Sequence, residues 1–225
     1  MMSIIDLTLI IVAIIISIMA DINIKTTYSK TREMKTSRGL TGEETARMIL
    51  DKNDLKTVKV KEVAGELSDH YNPADKTVNL SSYIHSKDSI ASISVAAHEC
   101  GHAIQDKDGY FFLRIRRALV PFVNLASKLG YVAIIIGLLA SSLLLFRVGI
   151  YAEVIILFFQ LITLPVEFDA SKKALRKIEE YGIVTSEELV YAKKMLRSAA
   201  LTYVAAVTST LLQILRLILI FRSND

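Results

Sequence analysis

His98, Glu99 and His102 stand in the order H-E-x-x-H inside residues 95–105, which read V-A-A-H-E-C-G-H-A-I-Q. That pattern suits metal-assisted hydrolysis. On an α-helix, positions i and i+4 share a face, so His98 and His102 can turn both imidazoles toward one ion. Glu99, about a quarter-turn round, can reach a water on that ion without ligating it, which is where a general base belongs. Zinc accepts neutral imidazoles and, in catalytic sites, keeps one position for water beside three protein ligands. Two histidines therefore leave one ligand to be found. Ala97, Gly101 and Ala103 leave space for a close neighbour. Cys100, the single cysteine, occupies a free position of the motif; it reads as a small packing residue, and its solitude excludes an internal disulfide.

The motif needs a helix. Asp88 is the expected N-cap, Ile90, Ile93 and residues 95–97 supply an apolar side, and the helix should run to about Gln105, with Gly109 as the stop. Charged residues bracket this stretch and it is too short to span a bilayer, which argues against a protease whose metal helix is itself a span. Upstream, Thr41 and Glu44 form a capping box for a helix to about Lys52. Val58, Val60 and Val63 alternate in a strand over residues 56–66, residues 69–76 read as a turn, and residues 77–80 read as a second strand. The two strands can pair as a hairpin, which either offers Val78 on an exposed edge where a peptide adds as one more strand or simply shields a core.

Composition places this insert in a membrane protein. Of the 225 residues, 52% are hydrophobic and mean hydropathy is +0.41, while the charged residues cluster in separate stretches. The fold class is mainly α: a polytopic helical membrane protein of about four spans, with a small α+β zinc-peptidase insert carrying the H-E-x-x-H helix. Residues 1–20 form a transmembrane anchor that is not read as a cleaved signal, since the basic residues Lys25, Lys30, Arg32, Lys35 and Arg38 follow it. Residues 21–128 form a cytosolic insert, opening on a polar linker. Within it, residues 111–117 mix aromatic and basic side chains, as a segment lying on a membrane surface or packed on the domain would.

Residues 129–164 form a transmembrane hairpin joined at Arg147 on the outer side, residues 165–198 form cytosolic helices, and residues 199–225 form the last span. Both termini are then outside and the active site faces the cytosol. The net charge of +4 is explained by these flanks, so nucleic acid is not a partner. The partners expected are the lipid bilayer and a polypeptide substrate, membrane-associated or membrane-proximal.

For the third ligand, Glu167 ranks first, with His70 and His85 as imidazole alternatives. Pro165 suits a first helical turn or a kink, and Glu167 and Asp169, two apart on a helix, point to nearly opposite sides. Thr185 and Glu188 form a second capping box, ahead of the last span. His70, Tyr71 and Tyr203 are candidates for stabilising an oxyanion.

Residues 98–105 and 164–171, with residues 39–42, 69–73 and 200–206, resemble the family described as putative neutral zinc metallopeptidases of bacterial membranes, over nearly the whole chain. A more distant similarity is to gluzincin membrane peptidases of the HtpX and CAAX-prenyl-protease kind. That likeness implies Zn²⁺ held by His98, His102 and Glu167, with Glu99 as the general base of peptide hydrolysis. An Asp four residues after the ligand is also implied, but Ser171 stands there in this chain and Asp169 is displaced. The reading from another class is a zinc-stabilised membrane scaffold or adaptor without turnover.

Overall fold

The computed structural model of the chain describes residues 4–140 and 142–223. The ends of the expected first and last spans, residues 1–3 and 224–225, lie outside the described residues. The chain is mainly helical, with one small sheet and four helices long and apolar enough to cross a membrane.

It divides into two compact units. One, the apolar unit, comprises Met1–Asp21, Arg114–Leu164 and Leu201–Asp225; the other, the polar unit, comprises Ile22–Leu113 and Pro165–Ala200.

Helix α1, Ile4–Arg32, takes in the first apolar run and continues into the segment expected to be a polar linker. Residues 21–32 contain no Gly or Pro to stop the helix, and its last turns bury Tyr28 and Thr31 in the polar unit. Helix α2, Gly42–Lys52, begins at Thr41 with the capping box in place: the Thr41 side chain accepts from the Glu44 backbone, and the Glu44 side chain accepts from the Thr41 backbone.

The sheet differs from the expected hairpin. β1, Lys59–Val63, pairs in parallel with β3, Thr77–Ser81, in the register Val60 to Val78. β2, His70–Asn72, lies where a turn was expected and pairs antiparallel with β3, Tyr71 opposite Val78. The order is β1-β3-β2. All of β3 is buried, so Val78 sits on the central strand and not on an exposed edge. A central strand needs both faces covered, and Val78 and Leu80 pack into the same core as Ile49, Leu50 and Ile93.

A short helix α3, Ser82–Ser86, leads to α4, Ile90–Lys107, which carries the motif. Its N-cap is Ser89, whose hydroxyl accepts from the Ser92 backbone; Asp88, the expected cap, instead offers its carbonyl to Thr36. Gly109, with φ +63°, closes the stop.

Helix α5, Phe111–Leu139, is continuous, so residues 111–117 are the start of a long helix rather than a separate surface segment. Helix α6, Leu143–Glu180, begins before Arg147, so that arginine lies inside the helix and not in the connection. Pro165 lies inside α6, not at the start of a new helix. Helix α7, Ser186–Ser223, opens on the Thr185 and Glu188 capping box.

Candidate metal centre

α4 runs through the polar unit with its apolar side in the core, and this leaves His98 and His102 one turn apart on one face. Their ring centroids are 4.7 Å apart, with planes at 83°. Glu167 reaches them from α6. Its Oε2 lies 3.3 Å from His98 Nε2 and 3.6 Å from His102 Nε2, and the residue is 2% exposed. One ligand atom from each of the three lies within 4.8 Å of the others.

The reason α6 comes so near is Gly101. A Cβ at that position would stand 2.5 Å from the Ala170 carbonyl oxygen, so the α6 backbone rests directly on α4. Glu167 is one turn before Ala170, which carries its carboxylate to the histidines.

Both imidazoles are held from behind. Gln105, fully buried, donates through Nε2 to the Val166 carbonyl and to Asp169 Oδ2, each at 2.8 Å. Both of those partners only accept, which fixes the amide and turns Oε1 to His102 Nδ1 at 3.0 Å. His102 Nδ1 therefore carries a hydrogen, and Nε2 is the nitrogen that faces Glu167. Asp169 in turn takes Lys173 Nζ at 2.5 Å. On the other ring, Ser171 Oγ lies 3.2 Å from His98 Nδ1. Ser171 thus occupies the place behind a histidine where a carboxylate was implied, and Asp169 acts behind the other histidine through Gln105. Sequence reasoning missed the part of Gln105; its signal was an amide three residues after His102, on the same side of the helix.

Burial works to lower the His102 pKa, but contact with Glu167 and the charges of Glu99 and Glu167 outweigh it and raise the pKa above its ordinary value of 6.5. Burial pushes the Cys100 thiol well up, and its Sγ faces the Ala46 carbonyl at 3.6 Å in the core. It stands apart from the ligand group.

Glu99, nearly buried, accepts the Tyr71 backbone N–H at 2.8 Å. Strand β2 thereby holds the carboxylate, whose charge acts on His102. The Tyr71 hydroxyl donates to Asp106 Oδ2 at 2.8 Å, and Lys76 Nζ reaches the same oxygen at 2.5 Å. Asp69 supports the strand from the other end by accepting the Ser81 N–H and hydroxyl, and burial raises its pKa.

The imidazole alternatives lie elsewhere. His70 Nδ1 is 2.8 Å from the Ser68 carbonyl and its Nε2 is 3.2 Å from Asn79 Nδ2, while His85 faces Glu43 at 3.6 Å. Among the described residues, neither joins the group of His98, His102 and Glu167. Of the oxyanion candidates, His70 and the Tyr71 hydroxyl have these other partners, and Tyr203 belongs to α7 in the apolar unit.

The donor set fits zinc: two imidazoles with Nδ1 engaged and Nε2 turned inward, and one buried carboxylate. A chain with four helices long and apolar enough to cross a membrane and such a cluster has the parts of a membrane metalloprotein. It belongs to the family described as "Putative neutral zinc metallopeptidase", which matches residues 6–222. It is also 43% identical over 211 residues to the Bacillus subtilis (strain 168) protein described as "Putative membrane protease YugP", with 94% of each chain covered. No solved structure matches it.

Proposed function

We propose that this chain is a zinc-dependent endopeptidase of the cell membrane that cleaves membrane or membrane-proximal polypeptides, with its active site in the cytosol. The observation that carries the reading is the convergence of His98, His102 and Glu167 within 4.8 Å, next to Glu99. In this reading those three residues hold the ion. Zinc bound there supplies Lewis acidity, which lowers the pKa of a water and polarises a carbonyl.

The chain's own residues do the rest. Gln105 holds His102 in the tautomer that offers Nε2, and Ser171 steadies the His98 ring through Nδ1. Glu99 takes a proton from the attacking water and passes it to the leaving amine. The Tyr71 N–H orients Glu99 until then. β2 is the sheet edge beside Glu99, so a substrate that adds as a strand would do so there and not at Val78. The basic residues that follow the first span, Lys25 to Arg38, support the cytosolic placement.

The test pairs two variants of the detergent-purified protein. Glu99→Gln is expected to keep its zinc while peptide turnover falls by roughly 10²–10⁴-fold, the usual worth of a general base. Glu167→Gln is expected to lose most of its zinc. Normal turnover in the first variant, or full zinc in the second, would remove the corresponding role. Chelation separates turnover from a purely structural ion: loss of activity with little change in melting is expected, whereas a collapse in melting with no activity at any stage would favour a scaffold.

A further inference from the structure

A second polar site lies inside the apolar unit, formed by α1, α6 and α7. It is a groove of about 390 Å³ lined by Ala13, Ser17, Glu153, Ser209, Thr210 and Gln213. The apolar stretch of α6 covers residues 143–164, and Glu153 stands near its middle, roughly 15 Å from its start at 1.5 Å per residue. That is the depth of a bilayer's midplane, where a carboxyl group is costly and marks a site by default.

The neighbouring groups do not satisfy it. Ser17 Oγ and Ser209 Oγ lie 3.0 Å from each other, Ser209 also reaches the Ala13 carbonyl at 3.3 Å, and Gln213 Oε1 accepts from Arg216 at 3.4 Å. Among the described residues, no hydrogen bond or ion pair reaches the Glu153 carboxylate.

We infer that this groove docks a transmembrane segment of a partner polypeptide carrying a basic side chain at mid-membrane depth. Three features select that occupant. The charge is complementary to Glu153. The floor is built from Ala13, Ser17, Ser209 and Thr210, small and hydroxyl residues that let a second helix backbone approach closely. The rim includes Ile14 and Ile18, both 51% exposed, so the groove opens on a side suited to lipid and the occupant arrives laterally. Lipid headgroups lie too far from the midplane to serve. A second copy of this chain is a poor match, because the basic residues in the apolar stretches of α6 and α7, Arg147 and Arg216, lie towards the ends of those stretches. The docking is independent of whether the segment is afterwards cleaved.

The test uses the full chain in phosphatidylcholine vesicles and two labelled leucine-rich transmembrane peptides, identical except for a central lysine or alanine. By energy transfer, the lysine peptide is expected to bind about fivefold or more tightly than the alanine peptide, and Glu153→Gln is expected to erase the difference. Equal binding of the two peptides to the wild-type chain, or a preference that survives Glu153→Gln, would overturn the inference. Ser17→Leu, which fills the groove and leaves Glu153 in place, is expected to weaken both peptides; unchanged binding there would also overturn it. So would a Glu153-dependent self-association that the lysine peptide fails to displace.

Discussion

Gln105 shows how much of the site depends on a residue that touches no ion. Its amide satisfies three groups at once: His102 Nδ1, the Val166 carbonyl and Asp169. Replacing it with leucine leaves His102 Nδ1 without its partner in a buried place, at a cost of about 1–3 kcal/mol, while Asp169 keeps Lys173. Gln105→Leu is expected to lower zinc affinity by about 10–100-fold, as losses behind a metal ligand do. Competition titration with a zinc chelator, together with thermal unfolding of the metal-free protein, would measure both effects. His102 also sets a pH dependence. Its pKa in the folded, metal-free chain lies above 6.5, so the proton it holds stabilises that form fully below about pH 6.5, and the contribution is lost as pH rises through the folded value. Zinc needs the neutral ring, so the opposite trend is expected for binding. Melting of the chelated protein should fall as pH rises across this window, and apparent zinc affinity should rise.

α4 and α6 meet at Gly101, and the metal cluster depends on that meeting. Gly101→Ala puts a methyl against the Ala170 carbonyl oxygen, and the two backbones must part. The expected cost is about 1–3 kcal/mol of stability. Zinc affinity is expected to fall with it, because Glu167 rides on the displaced helix. Unfolding curves of the variant with and without zinc would test both, and an unchanged pair would show that α6 is placed by other contacts. The helices were legible in the sequence because capping residues and apolar spacing are local: Thr41 with Glu44, and Thr185 with Glu188, mark their starts directly. The sheet was not. A short strand such as His70–Asn72 carries too few residues for alternation to register, and Pro73 beside it reads as a turn. The parallel pairing of β1 with β3 joins strands whose partnership no local signal encodes.

Four helices capable of crossing a membrane, with a relative described as a membrane protease, make this a multi-pass membrane protein. The orientation proposed for it rests on the basic residues Lys25 to Arg38. The prediction is that the turn after Asn72 faces the cytosol. Asp75→Cys in spheroplasts should resist a membrane-impermeant maleimide until the membrane is opened. Cys100 is buried with its thiol pKa raised, so the background should be low. Labelling of intact spheroplasts would reverse the topology.

The sequence by itself determined the class of helical membrane protein and singled out the candidate metal-binding pair His98 and His102 with the adjacent general-base candidate Glu99. Hydropathy and the i, i+4 spacing are written along the chain and need no partner to be read. It also ranked Glu167 ahead of His70 and His85, but could not bring that carboxylate to the histidines. Only the tertiary structure did so, because the contact joins helices far apart in sequence and depends on the missing side chain of Gly101. The same packing decided that Gln105 and Ser171 stand behind the two imidazoles and that the Tyr71 backbone holds Glu99. Hydrogen bonds between distant elements have no period and no motif, so they become visible only once the chain has folded.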